Sequence, residues 1–205
     1  MTVLRKKNLF SIIVTSILIH AAPLGAHINA LDQMEGQWFE PPKEINAGIT
    51  FITGKNTPKD AKAVFSRTWS LLYVGYAGCR STCPTDLAKI TQFYKQNSKE
   101  LENTPFYFLT ADPGNDSNEK LSAYLNAFDS QFNALTASQS DTEQFLELIE
   151  SPLRILESND GEIIHSSHLY LIGPDLRAWK SYSFPFSSSE IKHDLRQMTQ
   201  QFMGV

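Results

Sequence analysis

The stretch Leu71–Leu87, LLYVGYAGCRSTCPTDL, contains the only two cysteines of the 205-residue chain. It opens on a short apolar, β-prone run, Leu71-Leu72-Tyr73-Val74, turns through Gly75 and Gly78, and delivers Cys79 and Cys83 just before Pro84. A proline after the second cysteine suits the first turn of a helix, where its missing N–H costs nothing. Leu87, Ile90, Phe93 and Tyr94 follow at helical spacing. The two sulfurs are therefore expected between a buried strand and a helix N-terminus, where free N–H groups and the helix dipole favour thiolate over thiol.

Working outward, the pattern predicts a helix from Pro84 to about Lys99 and a strand over Thr104–Thr110, ended by the turn Ala111-Asp112-Pro113-Gly114. Asp116-Ser117-Asn118-Glu119 has the form of a capping box, with Asp116 as the cap. Leu121, Tyr124, Leu125 and Phe128 give the next helix its apolar face. Phe132–Thr136 reads as a strand and Asp141–Ile149 as a helix. Arg154–Leu156 and Glu162–Ile164 are short strands around the turn Asn159-Asp160-Gly161. Leu169–Ile172 and Ala178–Tyr182 form a hairpin across Gly173-Pro174-Asp175, and a last helix starts near Ser187. Ahead of the cysteine strand, Gly48–Thr53 is a short strand, while residues 31–50 and Gly54–Lys62 read as extended and turn-rich. Strand–helix–strand–helix followed by a hairpin and a helix is an α/β sandwich on a small central mixed sheet. A CxxC-like element at the end of its first strand makes the arrangement thioredoxin-like.

The N-terminus stands apart from this body. Arg5-Lys6-Lys7 precedes the apolar run Leu9–Ile19, and small residues appear around Ala26 and Ala30, a secretory pattern. Residues 1–30 are read as a signal peptide or an N-terminal anchor, and 31–205 as one domain. That places the body outside the cytoplasm, in the periplasm or on the periplasmic face of the inner membrane. The formal net charge is −4, and the leader's three basic residues contribute nothing to the body. An acidic body without a basic run argues against nucleic acid as a partner.

Two cysteines in an exported chain form a disulfide by default. The loop between Cys79 and Cys83 is so short that a bridge there adds little stability, because the chain-entropy benefit grows with loop length. A redox pair or a metal site is the better account. His165 and His168 flank the entry to the strand Leu169–Ile172, whereas His20, His27 and His193 lie in the leader region and the last helix. Two thiolates and an imidazole suit Cu(I) and can also hold Cu(II). Structural zinc would want a fourth protein ligand. Peroxiredoxin chemistry would want threonine where Arg80 stands.

VGYAGCRSTCPTDL resembles the copper-site motif of the Sco (SenC) family of thioredoxin-like proteins, GYTxCPxxCPxxL. FLTADPGNDSNEKLSAYLNAFDSQFNALTAS is similar to the family's strand, Asp-Pro turn, helix and F-x-x-L-T strand. IIHSSHLYLIGPD resembles its histidine segment, DHSxxxYLxxPD. The resemblance spans about residues 69–202. Aligned on Tyr170-Leu171 and Pro174-Asp175, the family's histidine ligand falls on His165, leaving His168 as an extra residue. Arg80 replaces a common proline, Ser81 a common aspartate, and Ile164 the aspartate before the histidine. Losing two acidic neighbours and gaining Arg80 is expected to favour thiolate, and with it redox exchange over copper delivery.

The resemblance implies a copper-binding protein with Cys79, Cys83 and His165 as metal ligands and Cys79/Cys83 as a redox pair. It implies a role in assembling a respiratory oxidase copper centre, as metallochaperone or as reductant of that centre's cysteines. The partners would be a copper-protein client such as an oxidase subunit, and a thiol–disulfide reductant. The rival is a periplasmic thiol–disulfide oxidoreductase with no metal in its working cycle.

Overall fold

All six residues of the strand Ser70–Gly75 are buried, and their alternation splits the interior in two. Leu71 and Tyr73 face one apolar cluster, Leu72 and Val74 the other. A strand covered on both faces reads as a continuous apolar run, and here it lies at the middle of an eight-stranded sheet.

The computed structural model describes residues 36–54, 56–151, 154–155 and 163–203. The leader at 1–30 and the turn at Asn159-Asp160-Gly161 lie outside them. In chain order the elements are β1 (Gln37–Glu44), β2 (Thr50–Thr53), β3 (Thr57–Asp60), α1 (Ala61–Phe65), β4 (Ser70–Gly75) and α2 (Thr82–Gln96). Then come β5 (Phe106–Thr110), α3 (Asn118–Asn126), β6 (Asn133–Ala137) and α4 (Gln139–Leu148). The short β7 (Arg154–Ile155) and β8 (Ile163–Ile164), then β9 (His168–Gly173), β10 (Arg177–Ser183) and α5 (Ser188–Met203), complete the described chain.

The sheet order is β1-β10-β9-β4-β5-β6-β2-β3, with β7 and β8 as a separate ribbon. β4, β5 and β6 run parallel, and the remaining pairings are antiparallel. Leu87, Ile90 and Phe93 of α2, Leu121 and Leu125 of α3, and Ile191, Leu195 and Met198 of α5 pack on one face. Val64 and Phe65 of α1 with Phe145 and Leu146 of α4 cover the other. The thioredoxin-like α/β sandwich with a mixed central sheet is therefore the observed fold.

Three local expectations change. Residues 37–44 form an edge strand despite Pro41-Pro42, pairing with β10 across an irregularity between Trp38 and Lys43; an edge strand and a bulge both tolerate proline. Thr57–Asp60, read as turn-rich, is the opposite edge, exposed throughout and also carrying a proline. Finally, α3 is capped by Ser117, whose hydroxyl accepts from the Lys120 N–H. Asp116 is released from capping and turns inward.

Candidate metal centre

The parallel strands deliver the cysteine loop at the carboxyl end of β4, and Asp116 holds it there. One oxygen of this buried carboxylate accepts the Ala77 N–H at 2.8 Å and the Thr110 hydroxyl at 2.8 Å. The other pairs with Lys120 at 2.9 Å. The loop then turns, with the Cys79 N–H donating to the Tyr76 carbonyl. Helix α2 starts at Thr82, so Cys83 lies in its first turn, two residues earlier than a start at Pro84 implies. Gly75 makes room for it: a Cβ there would lie 2.7 Å from Phe108 Cζ and 2.9 Å from Cys83 Sγ.

The histidine segment meets this loop from the far side of the sheet order. Ser166 anchors it, exchanging hydrogen bonds with the Ser151 hydroxyl at 2.6 Å and the Tyr170 hydroxyl at 3.1 Å. His165 Nε2 thereby sits 3.2 Å from Cys83 Sγ. Nδ1 faces the Ser166 carbonyl at 3.3 Å; donating there leaves the lone pair on Nε2, the nitrogen that faces the sulfur. Tyr73 and Tyr76 stand edge-on to the imidazole, with ring centroids 6.0 and 6.1 Å away.

The sulfurs and Nε2 all lie within 4.8 Å of one another, both cysteines are unbridged, and no fourth His, Cys, Asp or Glu joins them among the described residues. The two thiols differ. Burial pushes Cys79 up, but the backbone N–H and side chain of Cys83 and the N–H groups of Ser81 and Thr82 outweigh it and leave Cys79 below its ordinary value. Burial pushes Cys83 well up, reinforced by Cys79. Burial also lowers His165, against the opposing effects of the Ser166 carbonyl and Asp86, so the ring is neutral at pH 7. Arg80 is exposed, and the N–H groups at the start of α2 supply thiolate stabilisation to Cys79.

Cys79, Cys83 and His165, singled out from the sequence, are brought together. His168 is not with them: its Nε2 lies 3.2 Å from the Ser183 hydroxyl on β10, three residues along an extended segment and on the other face. His193 is exposed on α5. Asp112 serves its turn, accepting both contacts of the Asn115 amide. Two neighbours of the site escaped the sequence reading. Asp116 was hidden behind its capping pattern. Asp86, buried and held above the usual carboxylate range by that burial, accepts the Tyr73 hydroxyl at 3.1 Å. Its spacing of three from Cys83 puts both on one helix face, a signal that periodicity contains. A cavity of about 940 Å³ near Arg67, Tyr94 and Phe132 opens at the opposite end of the sheet and takes no part here.

Two soft sulfurs and a neutral imidazole nitrogen, converging on one point with a side left open, fit a copper ion. A family model described as SCO1/SenC matches residues 42–200. A protein of Stutzerimonas stutzeri named for copper binding is 23% identical over 168 residues, covering 80% of this chain and 82% of its own. The bovine mitochondrial SCO2 homologue is 30% identical over 153 residues; the match covers 70% of this chain but only 56% of that protein. Among solved structures, a SCO1/SenC family lipoprotein from Bacillus anthracis superposes with a TM-score of 0.69 at 22% identity, over 77% of this chain and 96% of that one. BsSco, described as a member of the Sco family of cytochrome c oxidase assembly proteins, superposes with a TM-score of 0.63 at 22% identity, over 76% and 94%.

Proposed function

The chain belongs to the SCO1/SenC family, and on that premise we propose that it binds one copper ion through Cys79, Cys83 and His165 and serves the assembly of a respiratory oxidase copper centre. The observation that supports this best is the convergence of both sulfurs and His165 Nε2 within 4.8 Å. Copper bound there would supply an exchangeable soft ion, while the chain's own groups set its holding and release. The Ser166 carbonyl fixes the imidazole tautomer, and buried Cys83 forms the floor of the site. Cys79, 6% exposed against 0% for Cys83, is the sulfur a client can reach.

The same pair is suited to reducing a client disulfide. The Cys79 thiolate attacks one client sulfur, and Cys83 then displaces it, so the client gains two thiols as Cys79–Cys83 becomes a disulfide. Delivery and reduction are thus two uses of one site. The body is proposed to be periplasmic, with residues 1–30 as a cleaved signal or a retained anchor, and its partners to be a copper-protein client and a thiol reductant. Anaerobic copper titration of the reduced and disulfide forms tests the site. Reduced protein should take up one copper per chain and the disulfide form far less, because thiolates are the ligands. Equal uptake by both would remove it.

A further inference from the structure

A buried acid lies beside the centre without an ion pair. Asp86 is 3% exposed and stands three residues after Cys83, so both face inward from α2. No cation pairs with its carboxyl among the described residues; it accepts from the Tyr73 hydroxyl at 3.1 Å. Burying a carboxyl is costly, and an apolar side chain would fill this place on the helix at lower cost. What the acid holds is a tyrosine in contact with the proposed ligand. Tyr73 is fully buried near the end of β4, with the rings of Phe108 and Phe184 against its own, each centroid 5.7 Å away. The same ring meets the His165 imidazole edge-on, at 6.0 Å and an interplanar angle of 86°. Helix α2 thus carries both the sulfur that His165 Nε2 faces at 3.2 Å and the acceptor that fixes the ring beside His165.

We propose that Asp86 and Tyr73 are positioning residues for His165: the carboxyl holds the Tyr73 hydroxyl, and the ring so fixed holds the imidazole with Nε2 toward Cys83. The effect on copper rests on the copper reading; the ordering of the imidazole in the metal-free protein does not. The Ser166 carbonyl, 3.3 Å from Nδ1, is a single long contact that selects a tautomer but leaves the imidazole able to tilt about it. Edge contacts from Tyr73 and Tyr76 restrict that tilt, and the Asp86 hydrogen bond keeps Tyr73 from swinging away. Outer contacts that orient a ligating imidazole govern metal affinity without touching the metal. Because the ordering precedes binding, less freedom is lost when the ion arrives.

The test compares reduced, full-length wild type with Tyr73→Phe, Asp86→Ala, the double variant of these two, and Asp86→Asn. Two readouts are taken: the nitrogen NMR shifts of the His165 imidazole in metal-free protein with the ring neutral, and copper(II) affinity by competition with a chelator. Wild type should show the Nδ1–H form that the Ser166 carbonyl accepts. Tyr73→Phe and Asp86→Ala should admit the Nε2–H form, which a freed imidazole prefers, and should lower copper affinity roughly tenfold. The double variant should lose no more than the larger single loss, because both substitutions delete one hydrogen bond. Asp86→Asn keeps an oxygen that accepts from Tyr73, and should hold both readouts near wild type. Should Asp86→Ala fail to fold, Tyr73→Phe and Asp86→Asn carry the comparison. Imidazole shifts unchanged in Tyr73→Phe, or Asp86→Asn as damaging as the loss of the hydroxyl, would overturn the proposal and leave the pair as core packing. Absence of copper uptake by wild type would instead refute the copper reading, and the imidazole shifts would then decide the positioning alone.

Discussion

Gly75 shows how narrowly single residues set this site. Its replacement by alanine would drive a methyl group against Phe108 and Cys83 Sγ, both buried and neither free to withdraw. Overpacking of this kind costs about 1–3 kcal/mol, so Gly75→Ala should lower the thermal midpoint and weaken copper binding together. The thiols should separate chemically. At pH 7 and limiting reagent, alkylation and peptide mapping should find the label on Cys79, the lowered thiol, with Cys83 unmodified. Arg80→Ala should leave that profile unchanged; a marked slowing would restore the role that the sequence alone assigned to Arg80. Burial lowers both His165 and His168. Each binds fewer protons folded than unfolded in the interval below its ordinary value of about 6.5, so stability is present above it and is lost as pH falls. Urea titrations of the metal-free protein from pH 7 to 5 should show that loss, and His165→Gln with His168→Gln should flatten the slope. An unchanged slope would assign the acid sensitivity elsewhere.

At the scale of elements, the parts that face a core on both sides were legible and the edges were not. The Leu71–Val74 run, the apolar stripe of α2 and the β9–β10 hairpin each announce themselves by period, because burial dictates their residue types. Strand β1 is concealed because an edge needs few N–H donors and admits Pro41-Pro42; β3 is concealed because all four of its residues face water. The three candidate ligands were readable from residue type and from the family resemblance. The role of Asp116 was not, since it fits a local capping pattern that tertiary contacts override. A buried cation joins β10 to α5: Lys180 contacts Glu190 and Asp194 at 2.8 Å each, and the Tyr182 hydroxyl donates to Asp194 at 2.9 Å. Glu190 also accepts the Gly36 N–H ahead of β1. Removing one partner of such a group leaves the others buried and uncompensated, a loss of about 3–5 kcal/mol. Lys180→Ala should therefore destabilise the fold strongly in urea, while Lys180→Met should recover much of the loss. Equal damage by both would mean that packing volume, and not charge, sets the cost.

At the scale of the molecule, the sheet brings together residues that the chain separates widely: Cys83 Sγ and His165 Nε2, 82 positions apart, meet at 3.2 Å. Strand β4 lies between β5, whose turn supplies Asp116, and β9, whose preceding segment supplies His165. Packing on both faces, with one core cluster enclosing the cysteines and a second behind the sheet, makes the spacing a property of the whole fold. Copper should accordingly report on folding, with loaded protein melting higher than metal-free protein by mass action. The most direct measurement is X-ray absorption at the copper edge of the singly loaded, reduced full-length chain, beside His165→Ala and His168→Ala. Two sulfurs and one imidazole nitrogen should surround copper, with the nitrogen lost in His165→Ala and retained in His168→Ala. A first shell that keeps its imidazole in His165→Ala, or that loses it in His168→Ala, would contradict the assignment.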